Sequence, residues 1–445
     1  LMCVLGLKLM TKLVSTPLKD ENGKLVLDDK DRAQLLNTFF SSVFFFFNMT
    51  QIPEVKNRDN TGGEDEKLNE IKIDSIMVFN KLARLKEGKA PGDDGFVPLF
   101  LKQVASEICY PLAEIFNSSL KEGVVPLDWR IANVTPIYKK GSRQEPGNYR
   151  PISLTSQIGK LLESIIRDEI VIHLKERKLI GNTQHGFTQK RSCLTNLLEF
   201  MEIITQYVDD GHPVDVIYLD FQKAFDKVPH ARLIKKVKAH GINGKILKWI
   251  EAWLSGRLQR VVLNGSKSDW TEVMSGVPQG SVLGPLLFVI FINDIDDNIV
   301  NEILKFADDT KLLGAVSTKE EVDELRKDLH KLFCWSHELQ MLFNVAKCGV
   351  VHIGHNNPNY SLGGIQIDSL HEERDLGVII DESLKCRKQC AKAVNAANAT
   401  LGMIKRSFVN REKQTILSLY KSVVRPKLEY CIQACRPHLA KDIEL

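Results

Sequence analysis

The stretch ILKFADDTKL, residues 303–312, decides how the rest of this sequence is interpreted. Two adjacent carboxylates, Asp308 and Asp309, stand between two apolar segments that have the composition of β-strands. Ionised side chains rarely enter a protein core without a partner, so two carboxylates held together favour a bound cation. Oxygen ligands of this kind suit Mg²⁺, and Mg²⁺ serves phosphoryl chemistry. Taken alone, the pattern favours a polar hairpin turn instead, because Asp is common in turns.

A second carboxylate follows a predicted strand in VDVIYLDFQKAFD, residues 214–226. Residues 216–219 are β-branched, aromatic or aliphatic, which predicts a strand that ends on Asp220. A helix is expected to begin near Pro229. The alternative role for Asp220 is a cap on that helix, although Asp226 lies closer and is the more natural cap. Asp220 and the adjacent pair in 303–312 together give three carboxylates from two strand ends, which is what a two-metal site needs.

A glycine repeat occupies SGVPQGSVLGP, residues 275–285. Gly276, Gly280 and Gly284 recur at every fourth position, and glycine lets the backbone approach a ligand closely. Gln279 offers a side-chain amide that both donates and accepts hydrogen bonds. Residues 286–292 then predict a buried helix, so the alternative interpretation is an ordinary loop that leads into a helix.

These three blocks resemble the palm motifs of an RNA-directed DNA polymerase (reverse transcriptase) of the LINE-type, non-LTR, jockey-like retrotransposons. Supporting blocks stand in the family's order on both sides: KAPGDDG at 89–95, NYRPISL at 148–154, QHGF at 184–187, RDLGV at 374–378 and LEYC at 428–431. Each block is weak by itself, whereas an ordered series of them is specific.

The resemblance implies an α+β fold of the right-hand polymerase type, with an antiparallel palm sheet, mainly helical fingers and a helical thumb. Residues 1–70 would form an N-terminal connecting segment and linker, and 71–211 the fingers and the segment before the palm. Residues 212–380 would form the palm with the catalytic motifs and the primer grip. Residues 381–445 would form a thumb, which we expect to be truncated. The order of strands and helices along the chain agrees with this class.

The resemblance also implies catalytic and metal-binding roles. Asp220 and Asp308 would bind two metal ions, with Asp309 as an auxiliary carboxylate and the carbonyl of Phe221 as a further ligand beside the nucleotide. Lys347 would protonate the leaving pyrophosphate as a general acid. An ordinary surface position is the alternative for Lys347.

Further residues would contact the incoming nucleotide. Phe225 would stand beside the sugar and reject a 2′-hydroxyl, with core packing as its alternative role. Lys139 and Arg150 would grip the triphosphate, Lys as a point charge and Arg as a fork. Gln279, with Gly280 next to it, would touch the nucleotide or the template.

The predicted function is therefore that of an RNA-directed DNA polymerase, a nucleotidyltransferase that extends a primer 3′ end on an RNA or DNA template. Mg²⁺ is the expected cofactor, with Mn²⁺ as a substitute. RNA template, primer DNA and deoxynucleoside triphosphates are the expected partners. The alternative is an inactive retroelement relic that at most binds nucleic acid. It is motivated by departures from the family's pattern: Lys190 in place of Gly, Asp93 in place of Pro, and Cys435-Arg436 in place of Trp-Ser.

The amino-acid composition is compatible with a polymerase but does not by itself indicate one. The chain has 445 residues, of which 43% are hydrophobic and 26% charged, an ordinary globular composition. A net charge of +4 does not by itself indicate nucleic-acid binding. No run reaches the roughly 18–20 apolar residues of a membrane span, and no secretion signal is evident. We expect an intracellular protein, in the nucleus, the cytoplasm or both, with no membrane partner.

Nine cysteines are scattered without a disulfide pattern, which fits a reducing compartment. Two pairs, Cys386/Cys390 and Cys431/Cys435, share a spacing that fits one face of a helix. They predict buried structural cysteines, and a zinc site with His438 nearby is the alternative.

Overall fold

The computed structural model describes residues 16–44, 52–58, 67–409, 412–437 and 440–443. The chain divides into two compact units, each assembled from separate stretches of sequence. Unit 1 takes its residues from 1–181, 222–294 and 337–341, and unit 2 takes its residues from 182–221, 295–336 and 342–445.

The strands are, in chain order, β1 (Leu18–Lys19), β2 (Leu25–Val26), β3 (Ile131–Tyr138), β4 (Tyr149–Leu154), β5 (Val214–Leu219), β6 (Arg257–Leu263), β7 (Ser266–Lys267), β8 (Thr271–Val273), β9 (Glu302–Phe306), β10 (Asp309–Ala315), β11 (Gly349–Ile353), β12 (Ser361–Leu362), β13 (Ile365–Gln366), β14 (Asp368–Leu370), β15 (Glu372–Asp375) and β16 (Val378–Asp381). The α-helices are α1 (Asp29–Ser41), α2 (Ser75–Ala83), α3 (Pro98–Gln103), α4 (Ala105–Glu122), α5 (Leu127–Arg130), α6 (Gln157–Glu176), α7 (Cys193–Asp209), α8 (His230–Ala239), α9 (Gly244–Leu254), α10 (Gly284–Ile292), α11 (Lys319–Glu338), α12 (Arg387–Ser407), α13 (Lys413–Leu419), α14 (Arg425–Glu429) and α15 (Ala440–Ile443).

Unit 1 contains a sheet in the order β4-β3-β6-β7, with β8 also paired to β6. Strands β3 and β4 are antiparallel, whereas β3 and β6 are parallel. Helix α1 begins after Asp28, whose carboxylate accepts hydrogen bonds from two amides of the first turn. Leu36 and Phe40 of this helix share a core with Val134 of β3 and Val261 of β6, so α1 covers one face of the sheet.

Two predicted helices are present in unit 1. Helix α8 begins at His230, directly after Pro229, as expected. Residues 286–292 lie in α10, and every residue from Leu286 to its end is buried. A helix that is apolar on all sides can only be stable inside a core, and that is where this one lies.

Unit 2 is built on a five-stranded sheet in the order β14-β11-β5-β10-β9. Strand β5 lies at its centre, with all its residues except Tyr218 buried. It is apolar, as strands covered on both faces usually are, apart from Asp215, which is hydrogen-bonded to His352 and Tyr360. Leu197 and Phe200 of α7 share a core with Val216 of β5 and Val351 of β11. This core packs beneath strands β5 and β9, which lead to Asp220 and to the turn with Asp308.

The predicted α+β class is confirmed, because antiparallel pairings join β9, β10, β5 and β11, and helices pack within both units. One pairing in the unit 2 sheet departs from the expected antiparallel sheet, since β11 and β14 run parallel. In the part of the chain that the structure describes, no helix combines the length and the apolar character that crossing a membrane demands.

Candidate active site

Three carboxylates of unit 2 lie at one end of its sheet. Leu219, the last residue of β5, pairs with Thr310 of β10. Asp220 follows Leu219 and Asp309 precedes Thr310, so the two acidic residues come at the next position of the same antiparallel register. Asp308 is in the turn between β9 and β10. The structure therefore brings the ends of both predicted carboxylate strands to the same edge.

The turn that carries Asp308 is held by the QHGF block. Ala307, its first residue, has a φ of +56°, in the left-handed region. The Oε1 atom of Gln184 accepts hydrogen bonds from the N–H of Ala307 at 2.9 Å and from the N–H of Gly186 at 2.7 Å. A Cβ atom on Gly186 would lie 2.2 Å from the backbone nitrogen of Ala307. Gln184 thus supports the turn, a role that the sequence signals only through the Gln-x-Gly spacing.

Lys347 lies beside the first carboxylate. Its Nζ atom is 2.8 Å from Oδ2 of Asp220, and more than half of the lysine side chain is exposed. The N–H of Asn344 donates to the carbonyl of Asp220 at 2.7 Å, and the single-turn helix Val345–Lys347 follows. An exposed ammonium is therefore held against Asp220, where it supplies a counter-charge.

Phe221 turns its ring into unit 2. The ring stacks on that of Phe343, with centroids 4.4 Å apart, and its residue is 2% exposed. The ring of Phe221 is therefore part of the interior of unit 2, and the predicted metal contact concerns only its backbone carbonyl.

The donor chemistry at this edge fits a hard cation, because Asp220, Asp308, Asp309 and the Phe221 carbonyl offer only oxygen. Their side chains do not form a ready-made cluster, however: over the described ranges, with their gaps, no group of three or more His, Cys, Asp or Glu side chains is arranged to hold a metal ion. The ammonium of Lys347 supplies positive charge to Asp220 in this arrangement.

In unit 1, the glycine-rich loop 275–281 is tied to the segment that follows β5 in the chain. The N–H of Gly276 donates to the carbonyl of Val228 at 2.9 Å, and the N–H of Val277 donates to the carbonyl of Phe225 at 2.7 Å. Gly276 has a φ of +84°, and a Cβ atom there would lie 2.6 Å from backbone oxygens of that segment. This glycine is required by close contact of two backbones.

The second glycine of the repeat faces β4. Gly280 has a φ of +120°, and a Cβ atom on it would lie 2.5 Å from the carbonyl oxygen of Ser153. The N–H of Ser153 donates to the carbonyl of Gln279 at 2.8 Å. The loop is therefore clamped between β4 and the segment after β5.

Glu163 of α6 fixes the end of the same loop, and sequence reasoning did not identify it. Its buried carboxylate accepts hydrogen bonds from the N–H groups of Val282 at 2.7 Å and Leu283 at 3.2 Å, next to the start of α10. Burial raises the pKa of Glu163, whereas these two bonds and the charge of Arg257 oppose the rise. No local pattern marks a contact across more than a hundred residues.

Asp226 does not cap α8, so that prediction is wrong. The residue before α8 is Pro229, which offers no side-chain cap. The Oδ1 atom of Asp226 instead accepts a hydrogen bond from Nε2 of Gln279 at 2.9 Å. Burial raises the pKa of the Asp226 carboxyl, and the bond from Gln279 acts in the opposite direction.

Phe225 and Gln279 line one pocket of unit 1 together with Asp226, Pro151 and Ser153. The ring of Phe225 stacks on that of Phe288 in α10, with centroids 4.4 Å apart and planes inclined by 17°. The stacking holds the Phe225 ring in place at the pocket wall. Phe225 therefore packs against α10 and also lines the cavity.

Lys139 and Arg150 lie on the hairpin of β3 and β4. Ile137 pairs with Arg150, and the N–H of Lys139 donates to the carbonyl of Asn148 at 2.8 Å. Both basic residues are exposed. The hairpin thus brings the two predicted triphosphate-binding cations within two positions of each other in the register.

The cysteine pairs are packed in different ways. Cys431 and Cys435 are buried in the core of unit 2, and Cys386 packs against that core. Cys390 lies one turn into α12, as the helical spacing predicts. Cys431 has a φ of +52° and follows the end of α14, so the expected helix at the second pair is wrong. His438 lies outside the described residues.

Comparison with known proteins agrees with these observations. Residues 137–392 match the family model "Reverse transcriptase (RNA-dependent DNA polymerase)". The chain is 28% identical over 384 residues to the "RNA-directed DNA polymerase from mobile element jockey" of Drosophila funebris, which covers 82% of this chain and 42% of that protein. It is 24% identical over 444 residues to the "Probable RNA-directed DNA polymerase from transposon X-element" of Drosophila melanogaster, which covers 96% of this chain and 49% of that protein.

A third relative, the "Probable RNA-directed DNA polymerase from transposon BS" of Drosophila melanogaster, is 30% identical over 335 residues, covering 71% of this chain and 36% of that protein. The chain therefore spans less than half the length of these curated relatives. Among solved structures, an apo telomerase from Candida tropicalis matches with a TM-score of 0.42 and 13% identity, over 65% of this chain and 60% of the other. The predicted resemblance to jockey-like, non-LTR elements is confirmed by the named relatives.

Proposed function

We propose, since this chain belongs to the reverse transcriptase (RNA-dependent DNA polymerase) family, that it is an RNA-directed DNA polymerase of a non-LTR retrotransposon. It adds deoxynucleotides to the 3′ end of a primer on an RNA or DNA template. Its partners are then the template, the primer DNA and deoxynucleoside triphosphates. Residues 71–211, 212–380 and 381–445 would serve as fingers, palm and thumb.

One observation carries the proposal. The register of β5 and β10 in unit 2 sets Asp220 and Asp309 at successive positions on one sheet edge, with Asp308 in the adjoining turn. A buried sheet that ends in three carboxylates is a poor structural arrangement unless the charges have a use, because like charges repel and the core gains nothing from them.

Reverse transcriptases generally depend on a divalent metal ion, and we propose Mg²⁺ here, with Mn²⁺ as a substitute. Asp220, Asp308 and the carbonyl of Phe221 would hold it, with Asp309 as an auxiliary carboxylate. When bound, the metal ions stabilise the charge that develops on the attacking and leaving oxygens.

Other side chains would donate a proton to the leaving group or bind the nucleotide. Lys347 holds its ammonium 2.8 Å from Asp220, so it can give a proton to the leaving pyrophosphate at this edge. In unit 1, Lys139 and Arg150 would bind the triphosphate on the β3–β4 hairpin. Phe225 would exclude a 2′-hydroxyl, since its ring is held in place by Phe288. Gln279 and Gly280 would contact the nucleotide from the clamped loop.

Primer extension on a homopolymer RNA template tests the proposal. Replacing Asp308 with Asn removes a charge at nearly unchanged shape, and loss of several kcal/mol of transition-state stabilisation should slow extension by roughly a hundredfold or more. Asp209→Asn is the matched control, because Asp209 lies exposed at the end of α7, and it should extend the primer at the parent's rate. Equal rates for Asp308→Asn and the parent would exclude the assignment.

A further inference from the structure

Asp226 touches the loop 275–281 through both its backbone and its side chain. Its carbonyl accepts a hydrogen bond from Oγ of Ser275 at 2.9 Å, and its carboxylate accepts one from Nε2 of Gln279 at 2.9 Å. The neighbouring carbonyls of Phe225 and Val228 accept backbone bonds from the same loop. The two segments are therefore joined by four hydrogen bonds, which reach three residues of the segment after β5: Phe225, Asp226 and Val228.

Only one of these contacts is to a side chain that would meet the nucleotide. The amide of Gln279 has an NH₂ group that donates and an oxygen that accepts, whereas an ionised carboxylate only accepts. The carboxylate of Asp226 can therefore bind only the NH₂ end of Gln279. The Oε1 end of that amide is turned away from Asp226, and the pocket that Gln279 lines is where it can serve a ligand.

Movement of the loop backbone cannot reorient Gln279, so its orientation depends on the side-chain contact with Asp226. Gly276 lies so close to the backbone of Asp226 that a Cβ atom would be 2.6 Å from its carbonyl oxygen. Gly280 is equally close to Ser153 on the other side. With both ends of the loop clamped, the remaining freedom of Gln279 is the rotation of its own side chain, which the bond to Asp226 restricts.

We propose that Asp226 is a positioning residue of the nucleotide pocket, which orients Gln279 so that its Oε1 atom accepts a hydrogen bond from the incoming deoxynucleoside triphosphate. This inference rests on the proposed function, because it assumes that the pocket holds a nucleotide. Asp226 also lines this pocket, and its proposed effect on the ligand is exerted through the amide of Gln279.

The test measures nucleotide binding without catalysis. The full chain is loaded with an RNA template and a primer that ends in a dideoxynucleotide, and the dissociation constant of the matching deoxynucleoside triphosphate is titrated in the presence of Mg²⁺. Asp226→Leu keeps the approximate size of the side chain but cannot accept a hydrogen bond, so the constant should rise about tenfold. Asp226→Asn retains an acceptor oxygen and should stay within about threefold of the parent.

A double-mutant cycle separates positioning from simple support of the fold. In a Gln279→Leu background, Asp226→Leu should raise the constant no further, because residues that act through one another are not additive. A merely structural role would multiply the two effects. If Asp226→Leu does not fold, Asp226→Ala carries the same comparison.

The outcomes are distinct for the two proposals. A parent chain that binds the nucleotide but does not extend an ordinary primer refutes the polymerase function and leaves the cycle as a valid test of Asp226. Additive effects in the cycle, parental affinity in folded Asp226→Leu, or a parent that binds no nucleotide would each overturn the positioning role.

Discussion

Lys311 and Asp375 form an ion pair inside unit 2, with only 4% and 6% of their side chains exposed. Lys311 lies on β10, two residues after Asp309, and Asp375 ends β15 in the RDLGV block. The ammonium also lies 4.0 Å from the centroid of the Phe200 ring in α7. Replacing Lys311 with Met should leave the carboxylate of Asp375 buried without its counter-charge.

The expected cost follows from the burial of both partners. Removing one member of a buried ion pair destabilises a protein by about 3–5 kcal/mol, because the other charge stays desolvated. Replacing both members with apolar residues of similar size is often neutral, since neither desolvation cost remains. Lys311→Met should therefore lower the free energy of unfolding by about 3–5 kcal/mol, and adding Asp375→Leu should restore most of it.

Amide hydrogen exchange in β5 measures the free energy of unfolding at the centre of the sheet, because β5 is the central strand and pairs directly with β10. Lys327→Met is the matched control. Lys327 pairs with Glu324 on the surface of α11, with 66% of the lysine side chain exposed, and such pairs contribute about 1 kcal/mol or less. If Lys311→Met changes exchange in β5 no more than Lys327→Met does, the pair does not hold β10 in place.

Two further predictions concern unit 1. Phe288→Leu removes the ring on which Phe225 stacks, so incorporation of ribonucleotides relative to deoxynucleotides should rise roughly three- to tenfold; an unchanged ratio in primer extension would contradict the supporting role. Burial lowers the pKa of His240 to about 4 from 6.5, so its neutral ring contributes stability that is fully present above pH 6.5 and is lost as the pH falls toward 4. The contribution is at most about 3 kcal/mol. His240→Gln should therefore flatten the fall of the urea unfolding midpoint between pH 6.5 and 4. A parental pH profile in that variant would show that His240 is not the group responsible.

Local patterns were enough to predict several elements of the fold. The strand that ends on Asp220 and the buried helix over 286–292 both follow from side-chain composition within a few residues. Pro229 directly precedes α8, one residue before the first helical position, where proline is most favoured. The meeting of Asp220 with the 308–309 pair was expected from the chemistry of a two-metal site and from the family resemblance, since nothing local specifies which strands pair.

The contacts that the sequence could not predict are long-range. Asp226 looked like a helix cap because it precedes Pro229 by three residues, yet its carboxylate binds Gln279, 53 residues away. Gln184 belongs to the QHGF motif, and the hydrogen bond that its Oε1 atom accepts from the N–H of Ala307 spans 123 residues. Propensity and periodicity act over a turn or a strand, so neither can encode a partner at such a distance.

The residues that depart from the family pattern each have a definite structural setting. Lys190 has a φ of +63°, in the region that glycine occupies freely, so it carries a backbone cost of about 1 kcal/mol. Asp93 pairs with Arg260 and accepts a hydrogen bond from Asn133 at 3.0 Å, which gives this replacement partners of its own. Cys435 is buried in the core of unit 2.

None of these contacts includes a carboxylate of the 220, 308 and 309 set or a residue of the glycine loop. A left-handed lysine, an ion pair and a buried thiol change the free energy of folding, whereas the proposed metal binding and proton transfer would depend on groups at the end of the β5–β10 pairing. Because these are separate sets of side chains, the departures bear on how stably the chain folds, and they provide no physical argument against the proposed polymerase chemistry.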